Sequence, residues 1–246
     1  MRYRFTFTRH TLGAPGVGRR LRAVHLTDLH LHRGYPPDRL RRLTAGVNAL
    51  RPDVIVFTGD LIRWAEPWPG AEQQARVLAG MRARLGKYAV RGNHDLRGGG
   101  TLAPFLLGVA GFSLLCNQAV PVGGGEAPFW VAGMDDGWYR KARRGFLVRL
   151  RQKPGFKLVL CHEPMLARLV PEGGAGLILA GHTHAGQLHL PPAERLWMPA
   201  LSGRYYHGWY AVRGMPLYVA AGVGESAVSL RVNCPAEVAV FDIWAR

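Results

Sequence analysis

The 246-residue sequence has only three cysteines, Cys116, Cys161 and Cys234, widely spaced and in no CxxC pair. That pattern excludes a zinc ribbon and a disulfide framework, and fits a reducing compartment. Acidic residues are scarce, 16 Asp+Glu against 32 Lys+Arg, which leaves a net charge of +16. Long hydrophobic runs are missing. The longest, Phe105 to Cys116, carries Gly108 and Gly111 and is too short to span a bilayer. The opening Met-Arg-Tyr-Arg-Phe-Thr-Phe-Thr-Arg has charge but no apolar core, so it does not read as a secretory signal. Internal repeats are absent, and the glycine triplets at 98–100 and 123–125 mark loops rather than linkers. With 48% hydrophobic residues and no break in composition, the chain reads as one domain over residues 1–246.

The positive charge, nearly all arginine, has two readings. It can serve an anionic partner: a small phosphorylated substrate, nucleic acid, or peripheral contact with an anionic membrane. It can also reflect an arginine-rich coding bias that covers the surface. The densest clusters are Arg19, Arg20 and Arg22; Arg39, Arg41 and Arg42; and Arg140, Lys141, Arg143 and Arg144. None has the basic–aromatic repeat of single-strand binders, and no nucleic-acid-binding motif is present.

Short, β-branched-rich runs bounded by turn residues predict buried strands at Ala23–Thr27, Asp53–Thr58, Tyr88–Arg91, Phe129–Ala132, Lys157–Cys161 and Leu177–Ala180. Helical patterns fall between many of them. One opens at Pro36-Pro37-Asp38 with apolar Leu40, Leu43, Val47 and Leu50; others cover Glu72 to Leu85, Thr101 to Val109 and about Tyr139 to Arg151. Beyond Gly186 only short strands are expected: Gln187–Leu190, Trp209–Val212, Leu217–Ala220, Ala227–Arg231 and Glu237–Ile243. Strand–helix alternation followed by strands predicts an α/β architecture with more than one sheet.

The reactive residues follow the predicted strands. Asp28 comes after the first run, Asp60 after the second through one glycine, and Asn93 and His94 after the third through one glycine. His162 follows the Lys157–Cys161 run directly, and His182 and His184 follow the last run through one glycine. Ligands of α/β sheets bind beyond the carboxyl ends of strands, so these residues are predicted to meet in one crevice. Each motif alone has a plainer explanation. Asp28-Leu29-His30 puts two side chains on one side of an extended segment, but caps and turns produce it too. Gly59-Asp60 is a common turn, Gly92-Asn93-His94-Asp95 can be an Asx-turn, and His162-Glu163-Pro164 can start a helix. Gly181-His182-Thr183-His184, two histidines at i and i+2 after a buried strand, is the strongest single signal. The ordered set is stronger than any member.

That order, D-x-H, G-D, G-N-H-D, H and G-H-x-H, resembles the calcineurin-like metallophosphoesterase superfamily from about residue 22 onward. The flanks resemble its YkuE-like bacterial branch: Leu26-Thr27-Asp28-Leu29-His30-Leu31, His162-Glu163-Pro164, His184-Ala185-Gly186-Gln187 with Pro191, Gly222-Val223-Gly224 and Cys234-Pro235-Ala236-Glu237. The resemblance implies a β-sandwich of two mixed sheets flanked by helices, four layers α/β/β/α. It implies two divalent metal ions, one held by Asp28, His30, Asp60 and His184, the other by Asp60, Asn93, His162 and His182, with Asp60 bridging. Mixed carboxylate, amide and imidazole ligation suits Mn, Fe or Zn, with Mn favoured, better than Mg or Ca. The implied reaction is hydrolysis of a phosphodiester, pyrophosphate or phosphomonoester by attack of a metal-bridging hydroxide. His94, adjacent to a ligand but not itself one, would stabilise charge or protonate the leaving oxygen. Many relatives carry a membrane anchor or export signal at the start; with neither visible here, the expected location is cytoplasmic, with contact at the inner membrane surface left open.

Three alternatives share this framework: a UDP-2,3-diacylglucosamine pyrophosphatase-like lipid enzyme, a nuclease or cyclic-nucleotide phosphodiesterase, and a non-catalytic binding scaffold. The last would be expected to have lost ligands, and every expected position is filled. The remaining histidines read as packed (His25) or loop residues (His32), and Arg204-Tyr205-Tyr206-His207 is a candidate lining of the cleft. The tryptophans read as core or surface filler.

Overall fold

The structure is a computed structural model and describes residues 4–14, 20–123, 129–187, 198–226 and 230–245. The elements in chain order are β1 Phe5–Ala14, β2 Leu21–Leu26, α1 Pro37–Ala49, β3 Val54–Thr58, α2 Ala71–Ala79, β4 Lys87–Val90, α3 Leu102–Val109, β5 Ser113–Leu114, β6 Gln118–Val122, β7 Phe129–Gly133, α4 Gly145–Arg151, β8 Lys157–Leu160, β9 Leu177–Ala180, β10 Gly208–Val212, β11 Met215–Val219 and β12 Ala236–Ala245.

These strands form two six-stranded sheets, ordered β1-β12-β2-β3-β4-β5 and β10-β11-β9-β8-β7-β6. Each has a parallel run, β2-β3-β4-β5 in one and β11-β9-β8-β7 in the other; one antiparallel pairing, β12 with β2, adjoins the first, and two, β10 with β11 and β6 with β7, flank the second. The alternation of side chains along a strand decides the layering. In β3, Val54 and Val56 face the second sheet, while Ile55 and Phe57 pack under the helices with Leu40, Leu43 and Val47 of α1, Leu78 of α2 and Leu106 and Leu107 of α3. In the second sheet, Leu158, Leu160, Leu177 and Leu179 turn toward the first, and Val159 and Ile178 turn outward onto Leu147 and Leu150 of α4. Strands buried on both faces must be apolar throughout, which explains the unbroken hydrophobic runs in the sequence. The result is the expected four-layer α/β/β/α sandwich of two mixed sheets.

The elements depart from expectation in a few places. α2 stops at Ala79 before Gly80 instead of reaching Leu85, and Met81 is buried in the irregular stretch that follows. α4 begins at Gly145 rather than near Tyr139, because residues 136–142 are folded into turns. β1 and β6 were not expected. β1 alternates partly buried and exposed residues at the sheet edge and pairs with β12 in parallel. Arg39, counted with a basic surface cluster, is buried: its guanidinium donates to Glu225 Oε2 at 2.6 Å and to the Val223 carbonyl, tying α1 to the loop before β12. Most of the expected strands Gln187–Leu190 and Ala227–Arg231, together with His189 and Pro191, lie outside the described residues. Among the described residues no helix is long and apolar enough to cross a membrane.

Candidate metal centre

The carboxyl ends of β2, β3, β4, β8 and β9 meet in one place. There the chain brings together Asp28, His30, Asp60, Asn93, His162, His182 and His184, all buried, with His94 half-buried beside them. The backbone is bent to allow it. Asp28 (φ 54°), His30 (φ 50°), Asp60 (φ 56°), His182 (φ 72°) and His184 (φ 52°) all occupy the left-handed region, which non-glycine residues rarely enter. Such conformations cost free energy and persist where surrounding contacts over-determine them. Here the Asp28 N–H donates to the Gly59 carbonyl at 2.9 Å and the His30 N–H to the Asp60 carbonyl at 3.0 Å, zipping the first two turns together. The Val223 and Gly224 amides hold the carbonyls of Thr27 and Asp28 from the other side. Glycine is needed where these turns touch. A Cβ at Gly181 would collide with Thr27 Oγ1 and Asp28 Oδ2, and one at Gly92 with Asp60.

Hydrogen bonds to the periphery commit one atom of several site residues and leave another facing inward. A carbonyl only accepts, so a ring nitrogen facing one carries the proton. His162 Nδ1 faces the Thr58 carbonyl at 2.7 Å, His182 Nε2 the Ala200 carbonyl at 2.7 Å, and His94 Nδ1 the Arg63 carbonyl at 2.8 Å. Asp28 Oδ2 accepts from Thr27 Oγ1 at 2.7 Å and from the His182 N–H at 3.0 Å; Asp60 Oδ1 accepts from the His94 N–H at 2.8 Å.

The uncommitted atoms form two groups. In one, His162 Nε2 stands 3.1 Å from His182 Nδ1, 3.2 Å from Asn93 Oδ1 and 3.4 Å from Asp60 Oδ2. In the other, His30 Nε2 stands 2.9 Å from His184 Nε2 and 3.7 Å from Asp60 Oδ2, while Asp28 Oδ1 lies 3.3 Å from His184 Nε2. Asp28 Oδ1 has no hydrogen-bond partner among the described residues. Lone pairs crowded this closely, with Asp60 between the two groups, fit divalent cations. The donor set of imidazole, carboxylate and amide fits the borderline metals of the first transition series.

The protonation pattern shows the same demand for positive charge. Burial disfavours charge on His162, but the Asp60 carboxylate outweighs it and holds the ring well above its ordinary pKa. Burial pushes Asp28 and Asp60 up, and the surrounding imidazoles more than reverse it, leaving both well below the carboxylate range. Burial takes His30 well below its ordinary value.

His94 is close enough to join: its ligand atom lies within 4.8 Å of those of His30 and Asp60. Asp95, next to His94, is buried. Its carboxyl accepts from the Gly92 and Ile62 amides at 3.0 and 3.2 Å and closes the turn that carries Asn93. His25 is buried, with Nε2 2.7 Å from Thr58 Oγ1, as its place within a strand suggested. His32 bonds the Gly34 amide. His207 does not reach the cluster; it pairs with Glu237 at 3.0 Å, while Tyr206 braces the His184 turn through Thr183 Oγ1 and the Ala185 carbonyl. Two residues that no motif marks stand beside the cluster: Trp138 places its ring 6.3 Å from that of His182, and Arg231 Nη2 lies 3.4 Å from His184 Nδ1.

Two facing mixed sheets between helices, with these side chains at the carboxyl ends of their strands, define a metal-dependent phosphoester hydrolase. The chain belongs to the calcineurin-like phosphoesterase family, whose model matches residues 21–186. It is 30% identical to the metallophosphoesterase YkuE of Bacillus subtilis over 224 residues, 89% of this chain and 78% of that one. It is 29% identical to phosphodiesterase YaeI of Escherichia coli, covering 89% of this chain and 81% of that one. Among solved structures, a 5'-nucleotidase precursor from Thermus thermophilus shares the fold with a TM-score of 0.54 and 18% identity; the match covers 92% of this chain and 54% of that one.

Proposed function

We propose that the chain is a dinuclear phosphodiesterase, folded as one domain over residues 1–246, acting on a small phosphorylated substrate. Asp28, His30, Asp60 and His184 would hold one divalent ion, and Asp60, Asn93, His162 and His182 the other. The observation that carries this reading is the pairing of His162 Nε2 with His182 Nδ1 at 3.1 Å, when each ring has already spent its N–H on a carbonyl. Mn, Fe or Zn suits the mixed donors, and Mn is the first to try. When bound, the ions supply Lewis-acid neutralisation of phosphoryl charge and lower the pKa of water.

The protein's own groups then have separate tasks. Asp60, with Oδ1 tied to the His94 amide, offers Oδ2 to both ligand groups and sets their separation. His94 donates its Nδ1–H to the Arg63 carbonyl, so Nε2 is the nitrogen left facing the site, and the doubly protonated ring would hand its Nε2 proton to the departing ester oxygen. The diester preference is supported by the likeness to phosphodiesterase YaeI.

Hydrolysis of bis(p-nitrophenyl) phosphate by Mn-loaded wild type and Asp60→Asn tests this. The variant keeps the shape but loses the shared charge, and its kcat/KM should fall by more than the ~10–100-fold that a merely supporting residue costs. Wild-type rates in the purified variant would overturn the proposal.

A further inference from the structure

A sixth strand end lies beside the cluster. β7, between β8 and the edge strand β6 of the second sheet, runs out at Gly133 into a turn that places Trp138 edge-on to His182, with 6.3 Å between ring centroids and 62° between planes. The turn is braced from several sides. Glu163, the neighbour of His162, accepts from the Gly137 amide at 3.0 Å and the Trp138 amide at 3.4 Å. Asp136 accepts from the Tyr139 amide at 2.7 Å, and its carbonyl takes the amides of Lys141 and Ala142. Gly137 packs so closely on Leu166 that a Cβ would come within 2.8 Å of its side chain. On this fixed backbone Trp138 is 46% exposed.

We propose that Trp138 forms a subsite for a planar ring carried on the phosphorus of the substrate, such as an aryl or nucleobase-bearing ester group. The inference rests on the proposed phosphodiesterase reading, since it places a phosphoryl group against His182. A substituent on that group has the indole within reach. An indole held by its backbone loses little freedom when a ring covers it, and rings stack on it whatever their hydrogen-bonding edge. A substrate bearing only a small alkyl group gains nothing from that surface. Trp138 thereby sets which phosphoesters are held well rather than how the bond is broken.

The test is calorimetric binding of phenylphosphonate and methylphosphonate to Mn-loaded wild type, Trp138→Ala and Trp138→Phe. Both ligands carry the same charged head, and only the ring differs. Wild type should favour the phenyl ligand by roughly ten-fold or more, the scale of one stacked ring. The ratio should fall to near one in Trp138→Ala and stay close to wild type in Trp138→Phe. If Trp138→Ala loses both ligands alike, Trp138→Phe decides: a preserved preference supports the subsite and an abolished one overturns it. An unchanged ratio in Trp138→Ala overturns the subsite while leaving the phosphodiesterase reading intact. An unchanged ratio with reduced co-sedimentation on phosphatidylglycerol vesicles would instead make Trp138 a lipid anchor. Wild type that binds neither phosphonate and cleaves no phosphoester would overturn the broader reading, and the subsite with it.

Discussion

His162 Nε2 and His182 Nδ1 face each other at 3.1 Å with no hydrogen of their own between them, because Thr58 and Ala200 take the protons on the far sides of both rings. Only an added cation or an extra proton makes that approach favourable. A divalent ion binding there should therefore stabilise the fold. At a concentration a hundred times its Kd, one ion adds about 2.7 kcal/mol. Differential scanning fluorimetry with EDTA and with Mn should show a higher Tm in Mn, and His162→Gln should diminish the increment. Equal Tm values in EDTA and saturating Mn for wild type would contradict this.

His94 tests the division of labour. Its ring lies near enough to be counted with His30 and Asp60 as a ligand, yet its bond to the Arg63 carbonyl serves an acid equally well. His94→Asn should retain the full metal content and lose about 10²–10⁴-fold in kcat, the usual worth of a general acid. The loss should be greatest for poor leaving groups, which need the proton, and smallest for p-nitrophenolate. Loss of an ion would make His94 a ligand instead.

Asp136 predicts a pH dependence of stability. Its carboxyl is buried and stands next to Glu163, and its pKa is pushed up to about 8 by burial first and by the hydrogen bond and charge of Glu163 second. The folded value exceeds the unfolded value of 3.8, so the folded state binds the proton more tightly. The contribution is complete below about pH 4 and is lost as pH rises through about 8. Asp136→Asn keeps an acceptor for the Tyr139 amide and adds a donor toward Glu163. Its Tm should exceed that of wild type at pH 8.5, with the gap closing toward pH 5. A pH-independent difference would contradict the raised pKa of Asp136.

The central strands were legible because strands buried on both faces must be apolar at every position, and Val54–Thr58 or Leu177–Ala180 can be little else. Their polar successors were legible for the converse reason: Asp28, Asp60 and His162 have no business at the end of a core strand unless something binds them. β1 was not legible, since its FTFTRHTLGA alternation half-exposes an edge strand whose neighbour in the sheet, β12, lies more than 200 residues away. Trp138 was missed because nothing local marks it; its position depends on Glu163, contributed by a different strand end. Ring tautomers were equally hidden, being set by carbonyls of Thr58, Arg63 and Ala200 that no motif records. Turns held by remote partners, Glu163 at the Gly137 and Trp138 amides and Asn117 at the Arg143 amide, also shortened α4 relative to its apolar pattern.

The most direct measurement is the metal stoichiometry of protein stripped with chelator, reloaded with Mn and freed of excess, determined by elemental analysis against protein concentration. Two ions per chain are expected in wild type, falling in Asp60→Asn, because the shared carboxylate belongs to both ligand groups. Wild type that retains no tightly bound ion, or Asp60→Asn that retains two with unchanged affinity, would contradict the assignment of this cluster as a dinuclear centre.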